Sequence, residues 1–281
     1  MKTSNHLLRR LTAALLAAVL ALSIALPVFA SDDGDTIYIN SVSDLLSLAR
    51  SCAYDQWSVG KTVILQKDLS LEGMLWEPIP SFSGQFKGNG HTISDLTITG
   101  QYSPAGLFGI VEEQGSIESL SVRGVVSVSD SADTTTGGIA GINHGTLISC
   151  QFTGVVTGDS EVGGIVGRNE SEGTIDHSTA RAIVTGKSST GGIAGYNLGA
   201  ITGCTNVGSI NTEYPEASLD TDGFTAKMVD YINNKMAAAD DDATNSVTNV
   251  ATDTGGIAGR SSGMILTSVN TGTIGYEHVG Y

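Results

Sequence analysis

The chain has little cysteine, few aromatic residues and few basic residues, and each shortage excludes a class of protein. It has 3 cysteines, 6% aromatic residues, and 14 Lys and Arg against 29 Asp and Glu in 281 residues. Three cysteines do not make a disulfide framework. Few aromatic rings beside 36 glycines favour a turn-rich repeat over an aromatic-cored globule. The formal net charge of −15 argues against binding to nucleic acid or anionic membranes and favours solubility outside the cell.

The first 30 residues have the order of a secretory signal peptide. Three basic residues within positions 2–10 precede an apolar stretch at 11–26, and Val28-Phe29-Ala30 forms a small-residue cleavage site. This order predicts export with cleavage after Ala30, and no membrane span in the mature chain.

A glycine-framed hydrophobic block returns five times, and its spacing predicts the fold. The copies start at residues 106, 137, 163, 191 and 255, so the middle three follow each other at intervals of 26 and 28 residues. A period of this size marks an array in which each unit buries its apolar face against its neighbours. The repeat positions are Gly138, Ile139, Gly141 and Asn143; Gly164, Ile165, Gly167 and Asn169; Gly192, Ile193, Gly195 and Asn197; and Gly256, Ile257 and Gly259.

The repeat units predict an all-β fold, a single-stranded, right-handed parallel β-helix in which each unit forms one coil. Each has three short apolar runs separated by glycine and polar turns, which describes a triangular coil. The register predicts one interior column of Leu107, Ile139, Ile165, Ile193 and Ile257, and a second of Ile117, Leu147, Ile175, Ile201 and Ile265. Asn143, Asn169 and Asn197 are predicted to form an amide ladder at a turn.

Two of the cysteines fall in one column of the predicted stack. Cys150 and Cys204 share that column with Leu120, Ser178 and Ser268, so it is not a metal site. With one coil between them they lie about 10 Å apart, beyond the reach of a disulfide. We therefore predict free, buried thiols.

Two segments depart from the repeat. Residues 31–60 form a predicted N-terminal cap with an amphipathic helix, which starts at a capping box over Ser41–Asp44 and covers the first coil. The β-helix then extends over residues 61–281, interrupted by an insertion at about 213–250. Apolar residues from Phe224 to Met236 lie on one helical face of that insertion. We expect that helix to pack on the side of the solenoid, with binding of a partner as the alternative.

The repeat resembles the GLUG-motif repeats of secreted bacterial proteins. The resemblance lies in the Gly-Gly-Ile-Ala-Gly block, the following Asn and Gly-x-Ile, and the Cys-x-x-x-Gly of Cys150–Gly154 and Cys204–Gly208. It includes the lead-in from Trp76 to Ile98 and covers about residues 37–281. It implies export and a β-helix fold. Such repeats occur in surface proteins, adhesin-like proteins and flanking regions of some peptidases, so the resemblance implies no single activity.

Some short motifs in the chain resemble catalytic or metal-binding sites but lack what such a site requires. Gly259–Gly263 matches the nucleophile-elbow pattern, but Ser261 falls in the column of the predicted asparagine ladder. Asp220–Gly223 lacks the later ligands of a calcium loop. The nearest approach to a catalytic constellation is Asp95, Asp176, His177 and Arg181. We therefore predict no catalytic residues, no metal and no cofactor.

The sequence predicts a secreted or cell-surface, non-catalytic β-helix that acts as a rigid stalk or as an adhesion and partner-binding module. The expected partners are an extracellular glycan, cell-wall material or a host surface protein, with no nucleic acid. The alternatives are a pectin-lyase-like polysaccharide-processing enzyme or the flanking region of a secreted peptidase. A further alternative is that this chain is the N-terminal part of a longer surface protein, because Glu277–Tyr281 resembles the start of another glycine block.

Overall fold

A computed structural model describes residues 35–54, 56–128, 134–212 and 252–275. The predicted signal peptide, the helix expected at 213–250 and the segment Glu277–Tyr281 lie outside these residues. Within the described part, strands stack in parallel, coil upon coil, in four sheets. The chain is therefore an all-β parallel β-helix, as the repeat predicts.

The sheets A to D run along the length of the stack. Sheet A contains β1 (Thr36–Ile39), β2 (Thr62–Leu65), β5 (Gln85–Lys87), β8 (Ser116–Glu118), β12 (Thr146–Ile148), β16 (Thr174–Asp176), β20 (Ala200–Thr202) and β25 (Met264–Leu266). Sheet B contains β3 (Leu69–Ser70), β6 (Thr92–Gly100), β9 (Ser121–Val128), β13 (Gln151–Thr157), β17 (Thr179–Thr185), β21 (Thr205–Asn206), β22 (Ser209–Ile210) and β26 (Val269–Asn270). Sheet C contains β4 (Ile79–Phe82), β7 (Phe108–Val111), β11 (Ala140–Asn143), β15 (Val166–Asn169), β19 (Ala194–Asn197) and β24 (Ala258–Ser261). Sheet D contains β10 (Thr136–Gly137), β14 (Val162–Gly163), β18 (Ser188–Gly191) and β23 (Thr252–Gly255).

Both predicted aliphatic columns are confirmed by the strand register. Leu147 pairs with Ile117 on one side and Ile175 on the other, and the column continues through Ile201 to Ile265. Backbone hydrogen bonds join Ile139 to Ile165 and Ile165 to Ile193 at 2.9 and 3.0 Å. Up to Ile193 and Ile201 each coil thus buries these residues against those of the next coil, whereas in the last described coil Ile257 is half-buried and Ile265 is 38% exposed.

The coils differ from the predicted triangle in having a fourth strand segment. Each strand of sheet D ends at the first glycine of the block, as β10 does at Gly137, and the chain then turns over two residues before sheet C starts at Ala140. The glycine block therefore forms a corner between two sheets rather than one strand. Apolar composition alone did not reveal this corner, because the residues on both sides of it are buried.

The N-terminal helix α1 (Val42–Ser51) begins as the capping box predicts. The hydroxyl of Ser41 accepts a hydrogen bond from the Asp44 backbone N–H at 3.2 Å, and the Asp44 carboxylate accepts one from the Asn40 N–H at 2.9 Å. Leu45 and Leu48 are buried in the common core. Strand β1, which precedes the helix, already pairs with β2 in sheet A, so among the described residues the stack starts at Thr36. No helix in the described part of the chain is long and apolar enough to cross a membrane.

The asparagine ladder is present and lies inside the stack. The side-chain amide of Asn143 donates to the amide oxygen of Asn169 at 2.8 Å, and Asn169 donates to Asn197 at the same distance. Asn197 in turn donates to the Ser261 hydroxyl at 3.1 Å. The three asparagines are fully buried, so the amide groups joined in this ladder replace water with one another. Among the described residues, Asn143 Oδ1 at the end of the ladder is buried without a hydrogen-bond partner.

Replacing the central amide of this ladder should destabilise the whole stack. In Asn169→Leu, Asn143 loses an acceptor and Asn197 loses a donor, although the side chain keeps the same number of heavy atoms and the same branching. We expect the free energy of unfolding to fall by about 2–4 kcal/mol, measured by urea denaturation, because two buried amide groups lose a partner. The control is Ser261→Ala at the exposed end of the same column, with a loss below about 1 kcal/mol. Equal losses in the two variants would contradict this account.

The second glycine of each block lies against an interior column of sheet B. A Cβ added at Gly138 would overlap the ring of Phe152, and one added at Gly192 would overlap the side chain of Asn206. The glycine is therefore required by close packing, since the Phe152 ring is fully buried and has no room to move aside.

A methyl group at this glycine should cost stability through that ring. We expect Gly138→Ala to lower the free energy of unfolding by about 2–3 kcal/mol because it overpacks the core. In the Phe152→Ala background the same substitution should cost at least about 0.5 kcal/mol less, since the clashing ring is gone. A double-mutant cycle in urea measures this coupling, and additive losses would show that the ring is not the cause.

The cysteine column has the composition that the register predicts. All three cysteines are free and buried, and Cys150 and Cys204 alternate with Ser178 and Ser268. Each of these two thiols donates to backbone carbonyls, as Cys150 does to Ile117 at 3.4 Å. Burial raises the pKa of Cys150 to about 12, and those of Cys52 and Cys204 to about 11. These thiols are therefore packed, neutral core groups.

The thiols should not react until the stack opens. In the folded protein we expect no reaction of the three cysteines with Ellman's reagent at pH 8, because the thiolate is the reactive form and the raised pKa values suppress it. In 6–8 M urea all three should react at once, since unfolding restores their ordinary pKa. A thiol that reacts rapidly under native conditions would contradict the burial of its column.

Candidate ligand-binding surface

The outer face of sheet C carries a row of side chains that point away from the core. In each coil the residue between the last glycine of the block and the ladder position lies on this face. The register places Ile142 beside Arg168, Arg168 beside Tyr196, and Tyr196 beside Arg260. The last three of these residues form what we call the Arg-Tyr row.

Arg168 is held by two carboxylates. Its Nε donates to Glu170 and one terminal nitrogen donates to Glu161, both at 2.7 Å. Partial burial lowers the pKa of Arg168, but the two neighbouring carboxylates outweigh burial, so the pKa rises above its ordinary value. Glu161 also accepts from the Thr135 hydroxyl at 3.3 Å, which ties this cluster to the corner at sheet D.

Tyr196 lies between two guanidinium groups. The Arg168 guanidinium lies 5.1 Å from the ring centroid and that of Arg260 lies 5.5 Å from it. Because these residues belong to successive coils, the arginines approach the ring from opposite sides along the stack. Each contact is a cation–π interaction that orders an otherwise flexible side chain. The phenol oxygen of Tyr196 lies 3.3 Å from the hydroxyl of Ser262.

Arg260 has the same ring contact as Arg168 without the carboxylates. In the register, Ser262 stands where Glu170 stands in the Arg168 coil, and Asp253 stands where Glu161 stands. Among the described residues, no carboxylate lies within ion-pair distance of Arg260. The Arg260 side chain is exposed, so its N–H groups face solvent while the Tyr196 ring holds its face.

Two clefts flank β4 at the N-terminal end of the same sheet. One, of about 430 Å³, is polar and is lined by Ser81, Ser83 and residues 112–114, with Ser81 donating to Glu112 at 2.7 Å. The other, of about 450 Å³, lies between α1 and residues 75–80. Leu75 is exposed on its rim, whereas Trp76 is buried and donates to the Leu107 carbonyl at 3.2 Å. Both clefts are small and open.

The structure does not bring together Asp95, Asp176, His177 and Arg181, the four residues that came nearest to a catalytic constellation in the sequence. Asp176 and His177 are adjacent and their side chains lie 2.8 Å apart. His177 occupies a left-handed turn position that Ser149 and Gly203 share in neighbouring coils, so the turn explains its conformation. Asp95 accepts from the Ser70 hydroxyl at 2.7 Å in β6, three strands from Arg181 in β17. That separation is about 14 Å at strand spacing.

No cluster of metal-ligand type is present in the described ranges. No group of three or more His, Cys, Asp or Glu side chains is placed to hold a metal ion there. Ser261, the serine of the nucleophile-elbow match, lies beside Asn197 at the end of β24 and closes the amide ladder, in the column where the sequence placed it. The candidate calcium loop at 220–223 lies outside the described residues.

Two features were missed by sequence reasoning. The Arg-Tyr row was not predicted, although its members all occupy the position between Gly and the ladder residue. A second amide ladder was also missed, in which Asn206 donates to Asn270 at 2.7 Å. The sequence signal for this ladder is the pattern Asn-x-Gly. Asn206 and Asn270 donate to the carbonyls of Gly208 and Gly272, as Asn143 donates to the carbonyl of Gly145.

Comparisons with known proteins agree with this repeat. The GLUG motif profile matches residues 158–185, which is the coil that contains Arg168 and Asn169. Halomucin of Haloquadratum walsbyi is 32% identical over 155 residues, and a protein of Evansella cellulosilytica described as a Gly-rich membrane protein is 29% identical over 137 residues. These matches cover 50% and 35% of this chain but only 2% and 16% of the two relatives.

A solved structure shares the fold. A Bacteroides ovatus protein described as an immunoglobulin A1 protease superposes with a TM-score of 0.58 at 18% identity, over 85% of this chain and 66% of that one. At this identity the likeness extends to the fold alone. Together with the strand register and the profile match, it leads to one assignment. The chain contains a GLUG motif, which forms one coil of a parallel β-helix and recurs in variant form in the coils around it.

Proposed function

We propose that this chain is an exported, non-catalytic β-helix that serves as a rigid segment at the cell surface and binds an extracellular partner. The observation that carries the proposal is the continuous interior of the stack. The eight strands of sheet A extend over about 34 Å at strand spacing, with buried columns along their length. Such a rod holds surface side chains at fixed spacing and keeps its two ends apart.

Export and surface location rest on three supports. The first 30 residues have signal-peptide order, and the acidic composition suits an extracellular protein. One relative is named Halomucin and another is described as a Gly-rich membrane protein, and both are far longer than this chain. A rigid segment within a longer surface protein fits that difference in length.

The binding surface that best suits this role is the outer face of sheet C. It carries exposed Arg260, the half-buried Tyr196 and two clefts beside β4. The surface is ordered by the stack beneath it, so a partner would meet side chains that lose little freedom on binding. We expect an extracellular glycan, cell-wall material or a host surface protein to bind there.

The peptidase-flank hypothesis has one observation in its favour, the fold shared with the Bacteroides ovatus protein. In that case this chain would be the rigid neighbour of a catalytic domain. The polysaccharide-processing alternative would require acid and base groups on one flank, whereas Asp95 and Arg181 lie about 14 Å apart.

Fractionation of the producing cells tests the proposed location. We expect a species that begins at Ser31, found in the medium or the envelope fraction and degraded by protease added to intact cells, because the signal peptide directs export. N-terminal sequencing and intact mass measure this outcome. A cytoplasmic protein that retains residues 1–30 would contradict it.

The same protein, purified, distinguishes binding from turnover. We expect it to sediment with isolated envelope or wall polysaccharide while releasing no reducing ends from that material. An unrelated acidic protein of similar size is the control for trapping in the pellet. Release of oligosaccharides by the purified chain would overturn the non-catalytic assignment.

A further inference from the structure

We propose that Arg260, Tyr196 and Ser262 form a binding site for the carboxylate of a uronate-bearing glycan. This inference rests on the proposed function and names the ligand class for the outer face of sheet C. The three groups lie on neighbouring coils, with the Arg260 guanidinium 5.5 Å from the Tyr196 ring centroid and the phenol oxygen 3.3 Å from Ser262 Oγ.

The neighbouring coil shows how such a site binds a carboxylate. Arg168 stacks on the other side of the same ring at 5.1 Å, and its N–H groups bind Glu161 and Glu170, both at 2.7 Å. The Tyr196 ring therefore contacts the face of the guanidinium and orders it. The N–H groups at the edge of the guanidinium stay available to carboxylate oxygens. Guanidinium and carboxylate groups match in geometry, which gives short, charge-assisted bonds.

Arg260 keeps this arrangement but lacks the internal carboxylates. Ser262 replaces the glutamate that binds Nε in the Arg168 coil. Asp253, at the other equivalent position, makes no ion pair with Arg260 among the described residues. The exposed guanidinium is thus pre-ordered by Tyr196 and available to a carboxylate from outside the chain.

Charge favours binding at this point and limits its strength. The two glutamates compensate the charge of Arg168, so Arg260 supplies the uncompensated positive charge of the row. The net charge of −15 repels polyanions at long range. Binding therefore depends on short contacts, and we expect a modest affinity that weakens with a densely charged ligand.

Hydroxyl groups around Arg260 favour a sugar over an acidic peptide. Tyr196 and Ser262 present hydroxyls beside the guanidinium, and each can donate to or accept from a sugar hydroxyl. Both faces of the Tyr196 ring are taken by guanidinium groups, so a sugar would not stack on it. The ligand is recognised through its carboxylate and the adjacent hydroxyls.

The test compares two hexasaccharides and a matched pair of arginine variants. The probes are a hyaluronan hexamer, which carries glucuronate, and a chitin hexamer, which has no carboxylate. Arg260→Gln should weaken hyaluronan binding by about tenfold or more, as expected for loss of a charge-assisted hydrogen bond. Arg181→Gln makes the same charge change at an exposed position in sheet B and should change binding by less than about twofold.

Two further variants separate the roles within the site. Tyr196→Phe keeps the ring that orders Arg260 and removes the hydroxyl, so a loss of about threefold to tenfold is expected. Tyr196→Leu removes the ring as well and should weaken binding further. Calorimetry or NMR titration of the mature chain in low salt measures these constants, and circular dichroism checks the fold of each variant.

The outcomes are decisive in both directions. Equal losses in Arg260→Gln and Arg181→Gln, equal affinity for the two hexasaccharides, or absence of hyaluronan binding in the unmodified chain would overturn the site. Tighter binding of a hexaglutamate peptide would replace the glycan by an acidic protein partner. If Arg260→Gln still fractionates with the envelope, the proposed surface role stands even where this site fails.

Discussion

The rest of the structure depends on one constraint, which is that the hydrogen bonds of each strand join it to the coils before and after it. Such bonds form only if successive coils place the same backbone atoms at the same positions. The column at residues 139, 165 and 193 meets this requirement with one residue type, isoleucine, in each coil. Where a polar group enters the interior, as at Asn169, its partner must lie in the next coil.

This constraint explains why side chains that perform different tasks share one repeat. Gly138 makes room for Phe152 inside the stack. In the next coil, Arg168 lies two residues after the buried Val166 and projects from the outer face of the stack. Interior positions have little freedom to vary, because each change is felt by two neighbouring coils. Outer positions are free of that requirement, and the row of Ile142, Arg168, Tyr196 and Arg260 shows how widely they vary.

The Arg-Tyr row links this freedom to function. Two arginines on one ring have different surroundings because one coil supplies Glu161 and Glu170 and another supplies Asp253 and Ser262. The coils thus place a guanidinium group against the Tyr196 ring twice. The Arg168 guanidinium is bound by the chain's own carboxylates, whereas the Arg260 guanidinium faces solvent. A repeat fold can acquire a binding site in this way by changing two outer residues while its interior stays intact.

The sequence by itself determined the stack, because the glycine blocks and the aliphatic residues that follow them recur at corresponding positions of successive units. It predicted the columns of Ile139 and Leu147, the amide ladder of Asn169 and the buried thiols of Cys150 and Cys204. Only the tertiary structure decided the fourth sheet, the Asn206 ladder and the Arg-Tyr row. Those depend on which side chains of neighbouring coils come into contact, and the glycine blocks align the coils without specifying those contacts. The strand register pairs Tyr196 with Arg260 although the two residues are far apart in the sequence. Contact between two side chains depends on their distance in the folded stack and not on their separation along the chain.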